Sequence, residues 1–201
     1  MRLKCYLIIL VCTILSACGQ SGQEENERVI IGNEYKGMKS LTVKRLARLG
    51  DSNARNQDFG NALDCYLKAD SVEPNNPNVL NALANIEGHM GKTDESIVHF
   101  KKVIQLDSNY LQAYASYGTI LGEVKRYPEA MAILKKGFER SKQDQFEYYV
   151  LSFNLAIYSY KIGNCEDADK YIAIAKMNRF RNENFNTETI KTANIIKRDC
   201  N

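Results

Sequence analysis

The chain has 201 residues, 44% of them hydrophobic and 25% charged, with only 3 prolines and a formal net charge of +3. That suits a single folded domain, or one domain with an extension. No block of one sign runs through it, which excludes the electrostatic footprint of a nucleic-acid-binding surface. The first element is set apart. Arg2 and Lys4 precede an apolar run from Tyr6 to Leu15, which Leu15-Ser16-Ala17-Cys18 closes. The run is too short to cross a bilayer as a mature helix, so residues 1–17 read as a signal peptide. Its removal takes away two basic residues and no acidic one, leaving a mature charge of +1.

The small-small-Cys ending resembles a bacterial lipobox. That resemblance implies a lipid on Cys18, with palmitate among the acyl chains, and an address in the bacterial cell envelope. The alternative is a plain secretory signal that happens to contain cysteine. Gly19 follows Cys18, where Asp resembles the inner-membrane retention signal of some Gram-negative bacteria, so the outer membrane is favoured over the inner. Glu24, Glu25 and Glu27 faintly resemble acidic surface-export signals. Residues 18–39 are polar, with Gly19, Gly22 and a run of acids, and read as a flexible tether with a span of roughly 25 Å.

From residue 40 the apolar pattern takes a helical period. Helices are expected near 40–55, 59–71, 77–90, 93–106, 110–124, 127–140, 146–162, 166–177 and 187–198. Asn76-Pro77 offers an N-cap followed by Pro at the first helical position, and Asn164 with Glu166 and Asp167 offers another. Gly91 and Gly163 suit left-handed positions after a helix. The helices repeat in pairs. Ala62, Ser96 and Ala130 lie 34 residues apart. Leu46, Leu49 and Gly50 stand before the first, Leu80, Leu83 and Ala84 before the second, and Tyr114, Tyr117 and Gly118 before the third. A fourth set, Leu155-Ala156 and Ala168, slips by four residues near Ser141–Glu147, which should lengthen a loop or the next helix. Such a period marks stacked supersecondary units rather than a closed core.

These anchors resemble the tetratricopeptide repeat (TPR) family. The resemblance implies an all-α TPR α-solenoid of about four helix–turn–helix repeats, near 43–76, 77–110, 111–144 and 149–180, with a capping helix near 187–198 and the whole domain spanning 40–201. Small residues at Gly50, Ala84 and Gly118 would let paired helices close up. Leu49, Tyr66, Leu83, Phe100, Tyr117 and Leu134 would fill the space between. The third anchor of each first helix departs from the family's usual aromatic, being Asn53, Glu87, Leu121 and Ser159. Glu188, Lys191, Asn194, Lys197 and Arg198 would give the capping helix a polar outer face.

In the TPR family the first helix of each pair lines a concave groove that binds other proteins. Carried onto this chain, that face holds Lys44, Arg48 and Arg55, then Asn78, Asn81, Asn85 and His89, then Gln112, Ala115, Ser116, Thr119 and Glu123, then Val150, Phe153, Asn154, Ile157 and Tyr160. Asn78, Asn81 and Asn85 share one helix face and could bond an extended peptide's backbone, or simply be solvated. The lysine–asparagine clamp for C-terminal carboxylates is not reproduced, since Ala47 and Asp51 hold its first positions. Phe153, Ile157 and Tyr160, near Tyr148 and Tyr149, form a stripe for docking or homodimerisation unless the capping helix buries it.

Cys65, Cys165 and Cys200 remain after Cys18. Helix 166–177 and an antiparallel cap of similar length, roughly 17 Å each, should bring Cys200 to Cys165, predicting a disulfide and a free Cys65. A frayed C-terminus would leave both thiols unpaired. His89 and His99 have no neighbours at metal-ligand spacing, and no nucleophile elbow, P-loop, dinucleotide fingerprint or zincin motif occurs. The expectation is therefore no metal, no cofactor and no enzyme. The chain should be a membrane-anchored adaptor for another envelope protein or peptide segment. Its architecture is similar to small TPR lipoproteins such as type IV pilus pilotins. The alternatives are a self-associating structural protein or, further off, an unrecognised enzyme or small-ligand module.

Overall fold

The computed structural model describes Tyr35, residues 37–178, Phe180 and residues 182–200. The signal peptide, Cys18 and most of the tether lie outside the described residues. Within them the chain is all α: α1 Leu41–Arg55, α2 Phe59–Val72, α3 Pro77–His89, α4 Thr93–Leu106, α5 Leu111–Glu123, α6 Tyr127–Arg140, α7 Phe146–Lys161, α8 Cys165–Lys176 and α9 Glu183–Cys200. Eight of the nine expected helices match to within one residue at each end. The ninth starts four residues early, at Glu183, behind an Asn182 side chain that accepts from the Phe185 N–H at 3.0 Å. The chain divides into two compact units, one ending at Asn76 and the other beginning at Pro77.

In the first unit α1 pairs with α2. Gly50 is what permits it: a Cβ there would stand 2.7 Å from the Tyr66 ring. The Tyr66 hydroxyl donates to Asp51, and the Tyr35 hydroxyl donates to the other oxygen of the same carboxylate at 2.6 Å. Burial, and then the Asp51 bond, push the Tyr66 phenol well above its usual range. One expectation is corrected here. Leu49 is not a packing residue; it is 53% exposed, and α1 buries only the stripe Val43, Ala47 and Gly50. A helix between two neighbours is covered on two sides, as α3 is, where Leu80, Leu83, Ala84 and Ile86 are all buried. Among the described residues of its unit, α1 has α2 alone.

The second unit stacks three pairs, α3/α4, α5/α6 and α7/α8, followed by α9. Small residues again set the approach. The Ser96 hydroxyl of α4 donates to the Ala84 carbonyl of α3 at 2.6 Å. A Cβ on Gly118 of α5 would lie 2.5 Å from Leu134 of α6. The unusual third anchors are filled individually. Leu121 and Ser159 are fully buried, and Glu87, 6% exposed, meets His99 Nδ1 at 2.7 Å. The slip of four residues is chiefly an extra turn of helix. Helix α7 has 16 residues where α3 and α5 have 13. Five residues precede it where four precede α5. The added turn begins with Phe146 and Glu147.

Every pair turns on one left-handed residue: Gln57, Gly91, Lys125 and Gly163, with φ of 61°, 76°, 61° and 78°. Two are glycine and two carry a Cβ, which costs of order 1 kcal/mol in that region. Lys125→Gly is therefore expected to stabilise the protein by about 0.5–1 kcal/mol. Gly91→Ala, where an added Cβ meets nothing within 4 Å, should destabilise by a similar amount through backbone strain alone. Urea unfolding of the two variants checks the opposite signs.

Helix α9 packs on α8 and α7, burying Thr189 and Ile196. A disulfide joins Cys165, at the start of α8, to Cys200, at the end of α9, with Cα atoms 5.6 Å apart. Cys65 is free and buried. Glu188, Lys191, Asn194, Lys197 and Arg198 are all exposed.

Candidate functional site

Stacking the pairs of the second unit sets α3, α5 and α7 side by side and leaves a groove between them. It encloses about 400 Å³ and is lined by Asn85 and His89 of α3, by Gln112, Ala115, Ser116, Thr119, Ile120 and Glu123 of α5, and by Phe146, Glu147, Val150 and Asn154 of α7. The floor is apolar at Ala115 and Ile120, both buried. The walls carry amides, hydroxyls and carboxylates. Asn154 Nδ2 donates to the Thr119 hydroxyl at 3.3 Å, tying α7 to α5. Thr119 donates in turn to the Ala115 carbonyl at 3.0 Å. Asn85 Nδ2 donates to the Asn81 carbonyl at 2.8 Å. Beneath the groove the Tyr158 hydroxyl donates to the Thr119 carbonyl at 3.5 Å. Burial, and secondly the Glu123 charge, push the Tyr158 phenol up to about 12.

The register read from the sequence places most of this lining. Asn85, His89, Gln112, Ala115, Ser116, Thr119, Glu123, Val150 and Asn154 all face the groove. Two of the three aligned asparagines do not line it. Asn78 accepts from the Tyr110 hydroxyl at 2.9 Å, joining α3 to the start of α5. Asn81 is 5% exposed, too buried for its amide to meet a peptide. Lys44, half-buried, and Arg48 and Arg55, exposed, lie on α1 in the first unit. Phe146, Glu147 and Ile120 were missed: the first two belong to the added turn of α7, outside the repeat register.

Of the two readings of the Phe153 stripe, cover by the capping helix is the one the contacts favour over docking or dimerisation. Phe153 meets the Phe185 ring of α9 edge-on, with centroids 5.4 Å apart. Phe146 meets Phe185 and Phe180 at 5.3 and 5.7 Å. The Tyr160 hydroxyl donates to Asp199 of α9 at 2.5 Å. Arg198 first, and Tyr160 second, hold the Asp199 carboxyl down at about 2. Ile157 is half-buried between them in sequence. Among the described residues, no three His, Cys, Asp or Glu side chains are grouped to hold a metal ion, and no helix is long and apolar enough to cross a membrane.

Residues 77–110, covering α3 and α4, match the profile of the tetratricopeptide repeat family. The structure overlays on pilF of Pseudomonas aeruginosa with a TM-score of 0.67 at 18% identity, over 78% of this chain and 70% of that one. The chain has a TPR fold. A second overlay, with TM-score 0.54 and 19% identity, covers 64% of this chain and 99% of the first TPR domain of Spaghetti (RPAP3), whose structure holds an HSP90 peptide, SRMEEVD. In sequence, 97 residues are 29% identical to small glutamine-rich tetratricopeptide repeat-containing protein 2 of Mycosarcoma maydis. That match takes in 48% of this chain and spans only 28% of the relative's length. TPR proteins mediate protein–protein interactions.

Proposed function

We propose that this TPR chain is a non-catalytic adaptor, anchored by lipid at Cys18 in the bacterial cell envelope, that holds an extended segment of a partner protein against α3, α5 and α7. The observation that carries the reading is the groove. It is an open trough in which an apolar floor is flanked by Gln112, Asn154 and Ser116, the lining an extended peptide needs for its backbone groups and alternate side chains. A peptide is what the RPAP3 domain holds in its own structure. The anchor is supported by the charged start, the short apolar run and Leu15-Ser16-Ala17-Cys18, and Gly19 favours the outer membrane. Two measurements test the two halves. Cys18→Ser should move the full chain from the washed membrane fraction to the soluble one. Asn154→Trp, which fills the groove, should abolish partner capture by the anchored protein while leaving it in the membrane. Membrane retention of Cys18→Ser would contradict the anchor, and unchanged capture by Asn154→Trp would contradict the groove.

A further inference from the structure

The first helix of each pair in the second unit is poor in charge. Together α3, α5 and α7 carry Glu87, His89, Glu123, Glu147 and Lys161. Glu87 is committed to His99, and Lys161 is not part of the groove lining. What remains on the groove is Glu123 and Glu147, with His89 and without lysine or arginine among the lining residues. Neither carboxylate makes an ion pair among the described residues. The cations sit on the second helices instead: Lys101 and Lys102 on α4, Lys135 and Lys136 on α6. The same helices, with α8, carry as many acids as bases, seven of each, so it is on the groove that carboxylates stand without a lysine or arginine.

The two carboxylates occupy opposite ends of the trough. Glu123 is the last residue of α5, where the unpaired carbonyls of the helix end add negative partial charge. Glu147 stands beside Gln112, at the start of α5. Eleven residues of helix separate Gln112 from Glu123, roughly 16 Å at 1.5 Å per residue. An extended chain covers that distance in about five residues.

We infer that the groove takes a basic extended segment, with two Lys or Arg side chains about five residues apart, one meeting Glu123 and the other Glu147. This rests on the proposed reading of the groove as a peptide site and adds the chemistry of the partner. Opposite charges across such a surface set partner choice and encounter rate, and an acidic or carboxylate-terminated tail is repelled.

Selection of displayed random decapeptides on the full lipidated chain in detergent tests it. Selected peptides should be enriched in Lys or Arg pairs about five apart. A synthetic copy should bind roughly tenfold more weakly to the Glu123→Gln/Glu147→Gln variant, the size expected for the loss of two exposed ion pairs. The difference should shrink as salt rises. The amides are isosteric with the acids, and an unchanged thermal melt of the double variant confirms that the fold is intact. Peptides that are uncharged or acidic, lost on Asn154→Trp but indifferent to the two amides, would overturn the charge assignment and leave the groove standing. Peptides indifferent to all three substitutions, or none selected, would overturn both.

Discussion

Phe100→Ala is expected to lower the unfolding free energy by about 3–5 kcal/mol. Phe100 lies on α4 and is fully buried, and its ring stacks on Tyr117 of α5 with centroids 5.7 Å apart. It therefore reaches across the joint between one helix pair and the next. In a stacked array each pair touches only its neighbours, so a void at a joint is not shared with a larger core. Phe100 also stands on the face of α4 that carries Ser96 and Val103, both fully buried, so few side chains nearby are free to move into the gap. Urea unfolding reads the effect as a lowered midpoint at constant slope. Val98→Ala on the same helix, at a side chain 62% exposed, should change stability by no more than about 0.5 kcal/mol. Equal losses for the two would mean that Phe100 does not hold the joint.

Removing the disulfide is the other large effect. Cys165 and Cys200 are 35 residues apart in sequence, and closing a loop of that size removes chain entropy worth about 4 kcal/mol from the unfolded state. Few interactions replace the link in fixing α9: the Phe185 edge contacts, the Tyr160–Asp199 and Asn178–Asn186 bonds and the buried Thr189 and Ile196. Cys200→Ser, or reduction, is expected to cost about 3–4 kcal/mol. The loss should appear in a denaturant titration of the oxidised chain against the reduced one. Peptide mapping without reductant should recover the two cysteines as one linked pair. Cys65 is expected to react with alkylating agents only on unfolding, since it is buried and burial raises its thiol pKa. Mapping that finds no linked pair would remove the clamp from the account.

The sequence carries the helices and their pairing because each pair reuses the same few contacts. A glycine or alanine is needed where Tyr66, Ser96 or Leu134 approaches, and that need recurs every 34 residues. It carries the ends less well. The pattern that makes Leu83 a core residue also marks Leu49, and composition alone does not say that, among the described residues of its unit, α1 has only α2 as a helix neighbour. Helix α9 opens with Glu183-Asn184-Phe185-Asn186-Thr187, too polar to show a helical period, so its first turn was not legible. The same holds for the groove. Asn85, Gln112, Thr119 and Asn154 follow from the register. Phe146 and Glu147 do not, because they enter on the one turn that breaks it. The Phe153 stripe is legible as apolar, with cover by the capping helix as one of its readings; what the repeat does not give is Phe185, the residue of the early first turn of α9 that meets it.

A photoreactive benzoylphenylalanine at Gln112 of the full chain, in its native envelope, tests the central claim most directly. Gln112 is exposed and lines the groove; Lys136 on α6 is exposed and does not. The account predicts a covalent adduct with a second protein from Gln112, none from Lys136, and loss of the Gln112 adduct when Asn154→Trp fills the groove. Adducts of equal yield from both positions, or an adduct of the chain with itself alone, would contradict it.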